Sequence, residues 1–177
     1  TLTYEAEKLF GIDLNNDNFL GRFIKPFDRD QFTTANNIET FDGASDNTTL
    51  LTDVNSGEIL FSDLSDPSLQ KLLINKDGSS FVSAPYHTAI DIEQSDDGYL
   101  RLLCYRDAHE TTKRVRVGRS YREVTENVPA GFLVTSFDSS GKLIQETTLL
   151  NKADTLTYEA EKLFGIDLNN DNVLGRF

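Results

Sequence analysis

The two ends of the chain are almost the same sequence. Residues 1–23 read TLTYEAEKLFGIDLNNDNFLGRF and residues 155–177 read TLTYEAEKLFGIDLNNDNVLGRF, with Phe19 against Val173 the single difference. The period is 154 residues, far longer than a solenoid repeat and about the size of an ordinary domain. The expected organisation is therefore beads on a string: one unit and the start of the next, within a long tandem array. One substitution in the copied segment is what drift after a natural duplication leaves. The chain divides on this reading into a junction at 1–23, a body at 24–154 and a second junction copy at 155–177.

The body has enough apolar material for a core, with 38% hydrophobic and 26% charged residues. A formal charge of −12 argues against unspecific binding to nucleic acid or to an anionic membrane, both of which need positive charge. The same acidity suits cations. No apolar run approaches the length of a membrane span, so membrane insertion is not expected. Cys104 is the lone cysteine and cannot build a disulfide or a zinc site within the unit; inside YLRLLCYR it reads as a small core residue.

Turn signals punctuate short strand-like runs between the junctions, as a mainly β, antiparallel body requires. TLLTDV (49–54) and EILFSDL (58–64) flank Asn55-Ser56-Gly57 as a hairpin. Asn75-Lys76-Asp77-Gly78 separates KLLIN from SSFVSA. Asp96-Asp97-Gly98 precedes YLRLLCYR (99–106), the most apolar run and the expected sheet centre. TKRVRVGRSYREV (112–124) reads as a strand, and GFLVTSFD (131–138) turns through Ser139-Ser140-Gly141 into KLIQETTLL (142–150) as a second hairpin. Residues 24–47 are poor in apolar periodicity and read as a linker with a first edge strand.

Each junction opens with a short amphipathic helix. Leu2, Ala6, Leu9 and Phe10 recur at helical spacing, as do Leu156, Ala160, Leu163 and Phe164. Thr3 is the candidate N-cap of the first copy and Asp154 or Thr157 of the second, while Gly11 and Gly165 stand where a helix can end. The apolar stripe of the second copy is expected to dock on the β body before it.

The loop after each helix carries the main chemical signal. Asp13, Asn15 and Asp17 place oxygen-bearing side chains at relative positions one, three and five, the opening of an EF-hand-like or dockerin-like Ca2+ loop, and Phe19 at position seven offers a backbone carbonyl. Asp167, Asn169, Asp171 and Val173 repeat the pattern. Alternate residues of a tight loop converge on one point, and calcium takes several hard oxygens at once. Asn18 stands where such loops carry glycine and tolerates a left-handed backbone. Position twelve is Ile24, where an EF-hand has a bidentate Glu, so further ligands must come from Glu7, Asp28 or water. With two carboxylates, affinity in the range of extracellular modules, on the order of 10⁻⁴ to 10⁻³ M, is expected. The alternative is an Asx-rich turn that closes the helix without metal.

The string EKLFGIDLNNDN resembles the junction E-x-x-F-G-x-D-L-N-G-D-G between repeats of the tryptophan-rich domain of cyanobacterial surface and secreted proteins. DDGYLRLLCYRDAHETTKRVRVGRSYREV is similar to that family's G-Y-x-V-x-W-K strand and its continuation, and FLVTSFDSSGKLIQE to its Y-x-V-W-x-x-D-S-x-G-N-Y-I-S hairpin. The likeness covers roughly residues 95–177. Glu7, Phe10, Gly11, Asp13, Leu14, Asn15 and Asp17 match the junction, as do Glu161, Phe164, Gly165, Asp167, Leu168, Asn169 and Asp171. Asn16 and Asn18 replace its glycines, and its tryptophans are absent, with Leu103 or Tyr105 and Thr135 or Phe137 near their places. The resemblance implies repeats of large exported proteins, without enzymatic activity.

Lys113, Arg114, Arg116, Arg119 and Arg122 form the basic cluster of an acidic chain. Alternation puts Arg114 and Arg116 on one strand face, either as a solvated face or as a contact for an anionic polysaccharide or a neighbouring repeat. His87 and His109 stand alone in sequence, and no Ser-His-Asp set or Gly-rich phosphate loop accompanies them. The expectation is a non-catalytic spacer, adhesion or motility-related module at the cell surface or outside the cell. A carbohydrate-binding module, using exposed rings such as Tyr99, Tyr105 or Tyr121, is a second reading, and an accessory domain of a secreted enzyme a third.

Overall fold

The computed structural model describes residues 6–7, 9–12, 14, 24–41, 47–63, 65–152 and 154–175, with 67 and 68 described by backbone alone. Among these, the fold is mainly β, with antiparallel sheets and short helices. Ten strands run in chain order: β1 Ile24–Pro26, β2 Thr48–Asp53, β3 Ile59–Asp63, β4 Asp66–Leu72, β5 His87–Gln94, β6 Leu100–Arg106, β7 His109–Val117, β8 Ser120–Val128, β9 Gly131–Phe137 and β10 Leu143–Leu149. Helix α1 spans Arg29–Ala35 and α2 spans Thr155–Phe164.

The first sheet has the order β1-β2-β3-β4 and the second β10-β9-β6-β5, while β7 and β8 form a ribbon of their own. Leu50, Ile59 and Phe61 of the first sheet share one core with Ala89, Ile92, Leu102, Cys104, Leu133 and Phe137 of the second. Successive strand residues point to opposite faces, so Ile90, Leu103 and Val134 lie on the other side of the second sheet. There they pack with Ala160, Phe164 and Ile166, flanked by Phe27 and Phe32. The second sheet is thus covered by a sheet on one face and by helices on the other, which explains why the middle of β6, Leu102-Leu103-Cys104, is apolar and buried on both faces.

The expected hairpins form where the turn chemistry sits. Thr52 pairs with Ile59 across the turn, where Gly57 has φ 73° and Asp53 Oδ1 accepts from Asn55 N at 2.9 Å. β9 and β10 close through a turn in which Asp138 Oδ1 accepts from Ser140 N at 2.9 Å and Lys142 N at 3.0 Å. β6 is an inner strand between β9 and β5, as its composition predicts. The run SSFVSA crosses over with isolated bridges, Ile74 to Ser80 and Glu58 to Val82, and its Phe81 ring meets Phe137 edge-on at 5.1 Å.

Other segments depart from the sequence reading. Residues 24–47 include β1 as the edge strand, but also α1, whose N-cap Asp28 accepts from Gln31 N. The run that reads in sequence as one strand at 112–124 is a hairpin: Val117 pairs with Ser120 around a two-residue loop led by Gly118, φ 64°, a backbone that glycine favours. β5 escapes the sequence reading because Asp91 and Glu93 interrupt its apolar pattern. Both are buried; Asp91 meets Arg29 at 2.6 Å and Glu93 accepts from Asn47 N at 3.0 Å. Cys104 is a core residue whose thiol is pushed up to about 12 by burial, which leaves it protonated and unreactive.

Candidate functional site

Helix α2 starts at the N-cap Asp154 and stops at Gly165, which takes the left-handed C-cap conformation with φ 63°. Thr157, the other N-cap candidate, lies inside the helix and donates its hydroxyl to Asn151 O at 2.5 Å. Ala160 and Phe164 face the sheet and Leu163 is half-buried against it, joined by Ile166 just beyond the cap. Leu156 is exposed, so the apolar stripe is shorter at its start than its spacing predicts and longer at its end.

The chain beyond Gly165 is held by the body's backbone. Phe41 N donates to Gly165 O at 2.7 Å and Asp167 N to Glu39 O at 2.9 Å. Arg29, which sequence reasoning did not single out, reaches the helix end as well: its Nη1 donates to Phe164 O at 3.1 Å while pairing with Asp91. A cation there satisfies an unpaired helix carbonyl and complements the helix dipole. These contacts span 62 and 135 positions, and the nearest signal was a charged residue one place after a helix cap.

Within the loop, Asp167 acts as a hub. Its Oδ1 accepts from Asn170 N at 2.6 Å and Asp171 N at 3.2 Å, and its Oδ2 from Asn172 N at 2.8 Å. Asn169 Oδ1 accepts from Asp171 N at 2.9 Å, and its amide donates to Asp171 Oδ2 at 3.0 Å. Asp171 Oδ1 accepts from Val173 N at 2.8 Å. Asn170 and Asn172 have φ of 62° and 60°, the left-handed geometry that lets Asn stand in for glycine. Asp167 and Asn169 are buried, whereas Asp171 and Val173 are exposed.

Glu161 closes this loop from the helix. Its Oε1 accepts from Leu168 N at 3.2 Å and its Oε2 from Gly175 N at 3.1 Å, so one carboxylate ties both ends of the loop to α2. Burial holds its pKa above the usual glutamate value, Asp171 repels its charge further, and the two amides partly offset both effects. The resemblance marked Glu161 as part of the junction, but only the fold reveals this bracing role.

Of the first copy, Asp13, Asn15, Asp17 and Phe19 lie outside the described residues, as does Thr3. The described part repeats the second copy's bonds. Gly11 has φ 64° and donates to Glu7 O at 2.7 Å, and Leu14 N donates to Glu7 Oε1 at 3.0 Å. Glu7 is fully buried, as Glu161 is.

The second loop carries two carboxylates and an amide oxygen at one end of α2, from Asp167, Asp171 and Asn169. The Asp167, Asn169 and Asp171 side-chain oxygens all accept hydrogen bonds from within the loop, so its shape is set by its own amides. Among the described residues, no group of three or more His, Cys, Asp or Glu side chains is placed to hold a metal ion.

The remaining candidates sit apart. Arg114 lies opposite Glu123 and Arg116 opposite Tyr121 on the β7–β8 ribbon, and Lys113 pairs with Glu126 at 2.6 Å. Tyr105 is half-buried between Phe32 and Phe132, with ring centroids at 5.7 and 5.3 Å, whereas Tyr99 and Tyr121 are exposed. His87 and His109 come near one another in space, and burial, then Arg106 and His109, lower the His87 pKa. No helix among the described residues is long and apolar enough to cross a membrane. No family model, curated protein or solved structure matches the chain.

Proposed function

We propose that the chain is a non-catalytic, calcium-binding tandem-repeat module of a large extracellular or cell-surface protein, serving as a structural spacer or adhesion element. The observation that carries this reading is the second junction: an oxygen-rich loop wound around Asp167, braced by Glu161 and seated on the β body by its helix. A cation held by Asp167, Asn169, Asp171 and the Val173 carbonyl would offset the repulsion between Asp171 and Glu161. It would stiffen the point where one unit hands over to the next. Restricting a linker in this way sets the reach of an array. The likeness of the junctions to those of the tryptophan-rich repeats supports the same reading, as does the chain's acidity.

Calorimetric titration of calcium into chelator-treated protein tests it. Saturable binding with a Kd on the order of 10⁻⁴ to 10⁻³ M is expected, with helix content rising in parallel. Asp167→Asn with Asp171→Asn keeps an acceptor oxygen at each position but removes the charge, and should abolish the heat from the second loop while the β body stays folded. No binding up to about 10 mM, well above that range, would reduce both loops to Asx turns.

A further inference from the structure

Where the first junction copy is described, its local structure matches that of the second, but its surroundings are opposite. In the second, Phe164 and Ile166 are 0% exposed against Ile90, Leu103 and Val134. Their counterparts Phe10 and Ile12 are 66% and 57% exposed, and Leu9 and Leu14, counterparts of Leu163 and Leu168, are 77% and 53% exposed. Yet Gly11 and Gly165 have nearly the same φ, 64° and 63°, and Glu7 accepts from Leu14 N as Glu161 does from Leu168 N. The first copy is therefore formed for docking without being docked. Four large apolar side chains on one short segment are more than an isolated exposed residue.

We propose that this face is covered by a second β body of the same kind, the unit preceding it in the array, through a surface equivalent to Ile90, Leu103 and Val134. The inference rests on the repeat-module reading and specifies its partner. The argument for that occupant is on the molecule itself: an essentially identical segment is already seated on such a body at the other end of the chain. The outer face of this chain's own second sheet cannot serve, because α2 occupies it. The structural unit then runs from the β body through the following helix and loop, 24–177, and residues 1–23 belong structurally to the unit before.

Phe10→Ala and Phe164→Ala are compared in the present chain and in a two-unit chain with residues 24–154 joined ahead of Thr1. In the single chain, Phe164→Ala should lower Tm by roughly 6–20 °C, as a buried Phe-to-Ala cavity does in a protein of this size, and Phe10→Ala by less than about 2 °C. In the two-unit chain, Phe10→Ala should destabilise the leading unit as strongly as Phe164→Ala does the trailing one. The amides of Leu9–Ile12 should also exchange at least about tenfold more slowly there than in the single chain. An unchanged Tm on Phe10→Ala together with unchanged exchange in the two-unit chain would overturn the proposal. So would self-association of the single chain that Phe10→Ala disperses, since the partner would then be a different surface. Both measurements are made in chelator and in calcium: docking in chelator stands whether or not the loops bind the ion, and failure of calcium binding alone leaves it intact.

Discussion

Gly141 shows how little freedom single positions of this molecule have. It holds φ 90°, and a Cβ there would lie 2.7 Å from Leu72 O and 2.9 Å from Phe61 Cε1. The turn between β9 and β10 consequently touches the first sheet with backbone alone, and Gly141 O accepts from Ile74 N at 2.9 Å. Gly141→Ala should cost at least about 2 kcal/mol, combining left-handed strain with a backbone clash. Denaturant midpoints at constant m would measure it, and a loss below 0.5 kcal/mol, within the range of an ordinary surface substitution, would contradict the close approach.

Glu161 makes a pH-dependent prediction with a definite sign. Its pKa in the folded chain is raised above the ordinary 4.5, so the folded state binds the proton more tightly than the unfolded one. Stability from this group must then increase as pH falls from neutral through the raised value and level off below about 4.5. Asp97 and Asp138 act in the opposite sense. Hydrogen bonds from Ser95 and Ser140 lead the causes that lower them below 3.8, and their contribution is lost only as pH falls through those lower values. In calcium-free buffer, the difference in stability between pH 5 and pH 7 should shrink in Glu161→Gln. The same variant should lose roughly 1–2 kcal/mol at pH 7, because Leu168 N and Gly175 N bond different carboxylate oxygens and the NH2 that replaces one of them cannot accept. An identical pH profile in both proteins would remove Glu161 as the responsible group.

At the scale of elements, the β7–β8 ribbon is the part least tied to the rest. Its strands bond to each other, and its residues are exposed or half-buried throughout. A two-stranded ribbon of this kind is marginal on its own. Replacing residues 109–128 with a tight turn should leave the two sheets folded, with Tm within about 5 °C, equivalent to a kcal/mol or two for a protein this size. Collapse of the fold would show that the ribbon supports the core. The element also explains an error of reading: Gly118-Arg119 is a hairpin loop inside what looked like one basic strand, and a single glycine between polar neighbours is a weak turn signal. Helix α1 was missed for a related reason. Its N-cap Asp28 with Gln31 three residues on is a helix-start pattern, but seven residues give too few turns for a clear apolar period.

Across the whole molecule, the formal charge of −12 pushes the compact state apart. Raising sodium chloride from about 0.01 to 0.15 M shortens the Debye length from about 30 to 8 Å, and Tm of the chelated protein should rise by a few degrees. Calcium at millimolar concentration should add more than the same ionic strength of sodium, through the loops. Equal effects of the two salts would argue for screening alone.

Turn positions, the inner strand β6, the β9–β10 hairpin and the helix ending at Gly165 were legible because each depends on a few neighbouring residues. Glycines supply left-handed backbone, Asp and Asn accept from amides two to five positions on, and those bonds form in any context. The loop geometry at Asp167, Asn169 and Asp171 belongs to the same class, as does its partial recurrence at Glu7, Gly11 and Leu14. β5 was illegible because Asp91 and Glu93 are acceptable in a core only where Arg29 and Asn47, far away in sequence, arrive to meet them. Phe10 and Phe164 make the distinction sharpest. The sequence by itself determined the same helix end, and the same bond from a leucine amide back to the helix glutamate, in both copies, since those interactions close within about fifteen residues. Only the tertiary structure decided that one phenylalanine is buried and the other exposed, because burial depends on which surfaces the rest of the chain brings to that face.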